Sequence, residues 1–418
     1  MGRAVGGVGT TRLHRFVLMG IALFVISMVG QFRVPLLADI GRDVALTTVD
    51  LGLLTTLFAA GRLATDLPAG VLVDRLGVRR ILVMVGFLSA LGSWLFASAH
   101  DRWLVLVAAL ILGVASAHSN LAGMTYFSTN ADDHRRGRAM AAYGVAIRGG
   151  GAIGPIAAGS LAALGGWRSA MWVGGAVSAA LAVAVLMPGM AWSRSRVAAG
   201  DRRDATATSR VGHDNRAVAE YSSTQRLVLD LVPFTGLFAQ GALPQTLIPV
   251  IGVNSLGLST ASVGVALGIG GVMRIVGTVA GGWVADHVGR KVALVPGLAL
   301  QTLAIALLAL EGRLWAWVTS IVLMSVAAVG TSVSATMLGD QAPPADVGRQ
   351  LGRFRLMGDA GLLAGPLLMA PLFDTAGQQA TAMVVVLLVL ACTLAVAIHL
   401  PETGEPSHHI DRHTEPFD

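Results

Sequence analysis

Ionisable side chains interrupt long apolar stretches of this 418-residue sequence, among them Arg33, Arg62, Arg148, Arg274 and Asp359. An ionised group near the centre of a bilayer costs about 2.5–3.5 kcal/mol on insertion scales, so such groups are normally paired or face water. A guanidinium group binds a carboxylate or phosphate through parallel hydrogen bonds, and a carboxylate can take up a proton. These residues therefore predict an intramembrane site for a charged solute, for protons or for both.

Two of the arginines occupy equivalent positions of an internal sequence repeat. Arg62 lies 12 residues before Asp74, and Arg274 lies 12 residues before Asp286. The two arginines therefore belong at the same depth of two equivalent helices, one in each half of the chain.

The surroundings of these two arginines differ. Asp66 follows Arg62 by four residues and could neutralise it within one helix, whereas the position equivalent to Asp66 is Thr278. Arg274 therefore lacks a partner nearby in the sequence, which makes it the better candidate for binding an anionic solute.

Opposite charges occupy a second pair of equivalent positions. Arg148 lies six residues before Gly154, and Asp359 lies six residues before Gly365. We expect Arg148 and Asp359 to form a charge pair between the two halves, which protonation of Asp359 would break. The alternative is a fixed brace without a role in proton coupling.

Further polar residues fall within the apolar runs. The candidate substrate-binding residues are Arg274, Arg62, Arg33, Gln31, His118, Asn120, Gln240 and Gln245. His118 is the only histidine in the interior of an apolar run rather than at its end, and histidine changes charge between pH 5 and 8, so it joins Asp359 and Arg148 as a candidate for proton coupling. The alternative is that His118 only satisfies a hydrogen bond inside the bundle.

The composition indicates a membrane protein. Hydrophobic residues make up 54% of the chain and charged residues 13%, against roughly 25% charged residues in soluble domains. The net charge of +6 does not indicate a nucleic-acid partner, because the arginines cluster in short loops between apolar runs. The single cysteine, Cys392, lies within the last apolar run and excludes a disulfide framework.

Twelve apolar runs follow one another, each long enough for a helix to cross ~30 Å of hydrocarbon. They are predicted at 13–38, 49–71, 80–98, 103–127, 138–163, 169–190, 227–252, 261–284, 292–310, 315–337, 350–372 and 378–399. The sequence therefore predicts an all-α membrane protein with 12 transmembrane helices in two pseudo-symmetric six-helix halves. The halves are residues 1–192 and 227–402, joined by a polar linker, 193–226, and followed by a tail, 403–418.

The basic residues orient the chain. With alternate loops assigned to alternate sides, one side holds 22 of the 30 Lys and Arg residues, whereas the other holds Arg42, Arg102, Arg168 and Arg313. By the positive-inside rule, both termini and the linker are cytoplasmic, and the chain is a multi-pass protein of the plasma (inner) membrane.

A short basic loop with glycines occurs once in each half. Its equivalent residues, 212 positions apart, are Gly70 and Gly282, Asp74 and Asp286, Gly77 and Gly289, and Arg79 and Lys291. The loop resembles the one between helices two and three of the major facilitator superfamily, which reads Gly-x-Leu-Ala-Asp-Arg-x-Gly-Arg-Arg/Lys. Because Asp74 and Asp286 follow the ends of the second and eighth helices, we expect the loops to act as gates on the cytoplasmic side, where the two aspartates meet arginines and helix N-termini of the opposite half. The alternative is that the loop charges only set the orientation of the chain.

A Gly-Pro pair also recurs at equivalent places. Gly154-Pro155 in the fifth run corresponds to Gly365-Pro366 in the eleventh, and each pair follows another glycine by four residues. This pattern resembles the fifth-helix motif that is associated with antiporters of the superfamily, which implies a role in gating. The alternative is close packing alone.

The resemblance implies a solute site near the midplane between two six-helix halves. The first, fourth, seventh and tenth helices would line the cavity, and the second, fifth, eighth and eleventh would flank it. We expect a secondary active transporter, not an enzyme, that needs no cofactor or metal and acts as a monomer in the lipid bilayer. The excess of intramembrane arginine favours a small anionic or amphipathic solute, moved by alternating access with protons as the coupling ion.

Two other functions stay open. One is a multidrug efflux proton antiporter of neutral or cationic compounds. Drug antiporters of the superfamily carry an arginine four residues before a glycine early in the fourth helix, and here Ala109 occupies that place before Gly113. The other is a membrane sensor or scaffold that keeps the fold without transport. Nucleotide-driven transport is not expected, because the sequence has no Walker-type phosphate loop.

Overall fold

All described residues belong to helices or to the turns between them. The computed structural model describes residues 6–131, 136–187, 221–341 and 347–402, with side chains except at 6–14, 67–71, 74, 136, 329, 331–332, 339–341 and 347–348. No β-strand occurs in these ranges. The all-α prediction is confirmed, whereas most of the predicted linker and the whole tail beyond 402 lie outside the described residues.

The helices form twelve crossings, numbered here as spans 1 to 12. Spans 2, 3, 4, 8 and 9 are the single helices Thr48–Leu76, Val78–Ala97, Arg102–Thr129, Thr260–His287 and Arg290–Leu308. Span 1 combines Gly6–Gly30 with Arg33–Asp43, and span 10 combines Leu314–Val326 with Val329–Gln341. Span 7 combines Ser223–Ala242, Leu243–Leu247, Ile248–Val250 and Ile251–Ser255.

Two long helices each supply two spans. Arg136–Leu186 contains spans 5 and 6, and Val347–His399 contains spans 11 and 12; the two helices have 51 and 53 residues. At 1.5 Å per residue, each is more than twice as long as the ~30 Å hydrocarbon core. Each also turns at a glycine with positive φ, Gly166 at 79° and Gly377 at 81°, which glycine adopts without strain. In the described residues, eight helices are long and apolar enough to cross a membrane, and the twelve segments are consistent with the twelve spans that the sequence predicts.

Spans 1 and 7 are interrupted at equivalent places. A turn at Gln31 and Phe32 divides span 1, and π-helical turns near Pro244 and Pro249 distort span 7. Proline causes such distortion because it lacks an N–H and its ring clashes with the preceding turn. The repeat therefore extends to the irregular backbone of these two spans.

Glycines of spans 5 and 11 lie directly against the backbone of spans 1 and 7. The contacts join Gly150 to Phe24, Gly154 to Met28, Gly361 to Phe234 and Gly365 to Phe238. A Cβ atom at any of these glycines would overlap a carbonyl oxygen, so small residues are needed for this approach. Close packing accounts for the recurring glycines, and their role in gating stays a prediction.

The two halves meet through symmetric contacts. Gly52 of span 2 lies against the carbonyl of Pro366 on span 11, and Gly264 of span 8 lies against the carbonyl of Pro155 on span 5. Gly52 and Gly264 are 212 residues apart, which is the offset of the repeat. Spans 2, 5, 8 and 11 therefore form the interface between two pseudo-symmetric halves, as the sequence predicts.

The bundle has two ends, which we name by their loops. The basic face holds the loops at Gly77 and Gly289, and the opposite face holds the turns at Gly166 and Gly377. Near the opposite face, the Thr260 hydroxyl donates a hydrogen bond to Asp39 of the other half. The backbone of Gly159 lies so close to Thr260 that a Cβ atom would stand 2.8 Å from the Thr260 carbonyl oxygen. The halves are therefore closed together at the opposite face.

Replacing Gly52 by valine should destabilise the contact between the halves. A Cβ atom at Gly52 would lie 2.8 Å from the carbonyl oxygen of Pro366, and overpacking of this kind costs about 1–3 kcal/mol. Thermal unfolding of the purified protein should show a lower midpoint for Gly52→Val. Gly20→Val is the matched control, because nothing lies within 4 Å of a Cβ atom there; equal midpoints for both variants would contradict the contact.

Candidate functional site

A cavity of about 250 Å³ lies between the two halves. It is lined by spans 1 and 5 of the first half and by spans 7, 8 and 10 of the second. The lining residues that carry polar side chains are Ser27, Gln31, Arg148, Gln240, Gln245, Arg274 and Ser325. Spans 5 and 8, which we expected to flank the site, thus supply both of its charged groups.

Each half contributes one arginine to this cavity. Arg148 comes from span 5 of the first half and Arg274 from span 8 of the second. Nη1 of Arg274 donates a hydrogen bond of 2.9 Å to Oε1 of Gln240. No acidic side chain is among the described residues that line the cavity. The two guanidinium groups therefore make the space between the halves electropositive.

A second cavity of about 140 Å³ extends into the first half. It shares Ser27, Gln31 and Ile147 with the larger cavity, and Arg62 and Asn120 also line it. Span 4 contributes only to this second cavity, although we expected it to line the main one. The shared residues make the two cavities neighbours, so Arg62 lies beside the space that holds Arg148 and Arg274.

Asp359 pairs with Arg62 rather than with Arg148. Nη2 of Arg62 on span 2 lies 3.5 Å from Oδ1 of Asp359 on span 11, and the Asp359 side chain is only 7% exposed. Arg355, one helical turn from Asp359, lies 3.8 Å from Asp66 of span 2. Arg62 therefore pairs with the opposite half, and the pairs of Arg148 with Asp359 and of Arg62 with Asp66 that the sequence suggested are not the ones that form.

The repeat makes the two interfaces electrically different. Arg62 and Arg274 are equivalent, as are Arg148 and Asp359, so the interface of spans 2 and 11 joins a cation to an anion. The interface of spans 5 and 8 places Arg148 and Arg274 on the same cavity instead. One interface is therefore matched in charge, and the equivalent one lacks its carboxylate.

Arg33 is fully enclosed on span 1. Its side chain is 1% exposed, its guanidinium carbon lies 4.1 Å from the ring centre of Phe58, and Nη2 donates to Oε1 of Gln245 at 3.2 Å. Its Nε and Nη1 atoms have no hydrogen-bond partner. Arg33 does not line either cavity, so in this conformation it is a buried cation between the halves rather than a group open to a solute.

The remaining predicted residues divide between the cavity and the core. Gln31 lines both cavities, whereas His118 lines neither. His118 is buried, and its Nδ1 lies 2.8 Å from the carbonyl oxygen of Val114 on its own span. That geometry agrees with a hydrogen-bonding role for His118, and its part in proton coupling stays a prediction.

Phe58 and Tyr143 are not among the site residues that the sequence predicts. Phe58, Arg62 and Asp66 follow one another every four residues on span 2, so the helical period could have identified Phe58. The Tyr143 hydroxyl donates to the carbonyl oxygen of Asn120 at 3.1 Å. No pattern in the sequence sets Tyr143 apart from other residues of span 5.

The basic loops are each tied to the end of their own half. Arg79 donates through Nε and Nη2 to the carbonyl oxygens of Val185 and Leu186, at 3.1 and 2.8 Å. The backbone N–H of Lys291 donates to Oε1 of Glu402 at 3.0 Å. The equivalent loops therefore fix the start of spans 3 and 9 to the end of spans 6 and 12.

Asp286 forms its ion pair within its own loop. Its carboxylate lies 3.2 Å from Arg290, four residues later, and its side chain is 63% exposed. The side chain of Asp74 lies outside the described residues. In this conformation Asp286 therefore does not act as a latch to the opposite half, and such a role for either aspartate stays a prediction.

The sequence matches the profile of the Major Facilitator Superfamily over residues 19–312 and 233–416. It is also 28% identical over 173 residues to the uncharacterized transporter YgaY of Escherichia coli O157:H7. That alignment spans 40% of this chain and 43% of the relative, so less than half of the relative's length is matched.

Solved transporters share the fold over nearly the whole chain. A bacterial homolog of the human lysosomal transporter Spinster, inward-facing and occupied, has a TM-score of 0.75 at 13% identity, covering 94% of this chain and 97% of that one. The nucleoside transporter NupG has a TM-score of 0.71 at 12% identity, covering 92% and 98%. The human organic anion transporter MFSD10 has a TM-score of 0.58 at 19% identity, covering 92% and 99%. At these identities, the likeness concerns the fold alone.

Neutralising Asp359 should destabilise the protein through the charge that it leaves behind. Asp359→Asn deprives Arg62 of its carboxylate, and removal of one partner of a buried pair costs about 3–5 kcal/mol. The Arg62 side chain is 24% exposed, so we expect the lower end of that range. The double variant Arg62→Gln with Asp359→Asn should recover most of the loss in thermal unfolding.

Two further variants sharpen this test. Asp286→Asn, in an exposed pair, should leave the unfolding midpoint almost unchanged. Arg148→Gln combined with Asp359→Asn should stay as unstable as the single variant. If Arg148→Gln with Asp359→Asn recovers stability and Arg62→Gln with Asp359→Asn does not, Asp359 pairs with Arg148 rather than with Arg62.

Proposed function

The chain belongs to the major facilitator superfamily, and from that premise we propose that it moves a small organic anion across the membrane by alternating access, driven by protons. The observation that carries the anionic class is the cavity with Arg148 and Arg274 and no acidic lining residue. A carboxylate or phosphate would form charge-assisted hydrogen bonds with these guanidinium groups.

A cationic solute fits this cavity poorly. It would enter a space with two positive charges and without a carboxylate among the lining residues, where like charges repel. The multidrug efflux alternative for cationic compounds therefore has no support from the site. A neutral solute would gain nothing from either arginine beyond ordinary hydrogen bonds.

The pair of Arg62 and Asp359 supports proton coupling. A proton on Asp359 removes the negative charge that holds Arg62 at 3.5 Å. Arg62 lines the second cavity, which adjoins the larger one. The guanidinium group released by protonation therefore adds positive charge beside the anion. Asp66 and Arg355 form a second pair between spans 2 and 11 and would weaken with the first as the halves move apart.

The sign of this coupling follows from linkage. Protonation of Asp359 frees Arg62 and strengthens anion binding, and by reciprocity a bound anion favours protonation of Asp359. A proton and an anion that assist each other's binding travel in the same direction. The geometry therefore supports symport of protons with the anion rather than proton-driven efflux.

The charge distribution supports an orientation in the membrane. The basic face carries the loops at Gly77 and Gly289, the start of span 1 and the end of span 12, so we place it in the cytoplasm of the inner membrane. The conformation closed at the opposite face then corresponds to a carrier closed toward the outside. The lipid bilayer, the solute and protons are the only partners that this function needs, and a monomer is sufficient.

Lower pH should strengthen anion binding in the wild type. Purified protein titrated with short-chain carboxylates should show higher affinity at acidic than at alkaline pH, because Asp359 must be protonated to release Arg62. Asp359→Asn imitates the protonated state, so its affinity should be high and almost independent of pH. Weaker binding at acidic pH, or an unchanged pH dependence in Asp359→Asn, would contradict the assignment.

Transport itself is tested in proteoliposomes. When a proton gradient is directed into the vesicle, the wild-type protein should accumulate a carboxylate inside the vesicle. Asp359→Asn should still equilibrate the carboxylate but should not accumulate it. Arg313→Gln, which changes an exposed arginine on the opposite face, is the control for a lost positive charge. Accumulation by Asp359→Asn would show that another group couples the proton.

A further inference from the structure

We infer that the solute carries two separated anionic groups on a short aliphatic frame, one bound by Arg148 and the other by Arg274. The inference rests on the proposed transport of an anion and specifies the class of that anion. It starts from the observation that each half of the protein contributes one arginine to the same cavity.

The two arginines need two negative charges. The cavity has no acidic lining residue, so neither guanidinium is neutralised by a carboxylate of the cavity wall. A solute with one anionic group would neutralise one arginine and leave the other unmatched when the cavity closes. A buried charge that loses its partner is strongly unfavourable. A solute with two anionic groups matches both arginines of the larger cavity.

The positions of the arginines favour a solute that bridges the halves. Arg148 and Arg274 lie on spans 5 and 8, which contact each other through Pro155 and Gly264 closer to the opposite face. Without a ligand, like charges oppose closure of these spans around the cavity. A dianion attracts one arginine from each half and thereby converts repulsion into attraction. Its binding would couple directly to the movement of the halves.

The wall of the cavity favours an aliphatic frame. No aromatic side chain is among its lining residues, and its apolar side chains include Ile147, Leu267 and Ile321. A ring that needs stacking partners would find none there. A cavity of about 250 Å³ has room for several water molecules at ~30 Å³ each, and therefore for a short aliphatic dicarboxylate.

The experiment compares dicarboxylates with esters that differ by one charge. Succinate, glutarate and adipate are titrated against the purified wild type beside their monomethyl esters, which keep the frame and lose one anionic group. We expect the dicarboxylate with the highest affinity to bind roughly 10- to 150-fold more tightly than its own monomethyl ester, the range that corresponds to one charged hydrogen bond. Ethyl phosphate, with both charges on one group, should bind no better than an ester.

Variants assign the two charges to the two arginines. Arg148→Gln and Arg274→Gln should each abolish the preference, so that the dicarboxylate and its ester bind alike. Arg313→Gln should keep the full preference. Arg274→Lys, which keeps the charge without the planar fork, should retain part of it and covers the case in which Arg274→Gln folds poorly.

The outcomes separate this inference from the proposed function. Esters that bind as tightly as dicarboxylates in the wild type would overturn the two-group solute and leave an anion transporter. Ethyl phosphate bound as tightly as the best dicarboxylate would overturn the separation of the groups. Uptake of neutral or cationic solutes, with no binding of any anion tested, would overturn the inference and the proposed function together.

Discussion

A guanidinium group inside a membrane protein must be matched by an anion, by water or by oriented dipoles, and this requirement shapes the bundle. Four arginines, Arg33, Arg62, Arg148 and Arg274, lie deep within the apolar spans, and the repeat assigns two of them, Arg62 and Arg274, to equivalent positions. At the partner positions the repeat is broken, because Asp359 occupies the place that corresponds to Arg148. Because of this single difference in charge, the interface of spans 2 and 11 contains its own carboxylate, whereas the interface of spans 5 and 8 needs an anion from the solute.

The same asymmetry gives the two interfaces different tasks. Spans 2 and 11 are joined by Arg62 with Asp359 and by Asp66 with Arg355, so they hold together unless a proton intervenes. Spans 5 and 8 are joined by glycine and proline contacts but carry like charges where they border the cavity. Protons and solute thus act on opposite sides of one axis. A movement that rocks one half against the other is sensitive to both.

The sequence was sufficient for the fold because its signals are local and repeated. Run length, loop charge and the offset of 212 residues specify twelve crossings without any knowledge of packing. The pairing of charges was not accessible in the same way. Equivalence of Arg148 and Asp359 shows that they occupy matching places, but matching places lie on opposite sides of the axis. The neighbours across the interface are spans 2 with 11 and 5 with 8, so Asp359 meets Arg62.

Arg33 is incompletely satisfied in the conformation that is closed at the opposite face. Its side chain is 1% exposed and contacts Phe58 and Gln245, yet Nε and Nη1 stay without partners. Gln245 is the repeat equivalent of Arg33, so the hydrogen bond between them crosses the axis and must break when the opposite face opens. Opening would cost that bond and the contact of Thr260 with Asp39, but it would give the unpaired nitrogens of Arg33 access to water. A transporter needs its two conformations within a few kcal/mol of each other, because a ligand shifts the balance only by its differential affinity. Because two of its nitrogens lack partners, Arg33 raises the free energy of the conformation closed at the opposite face. It thereby reduces the free-energy difference between that conformation and the one open at the opposite face.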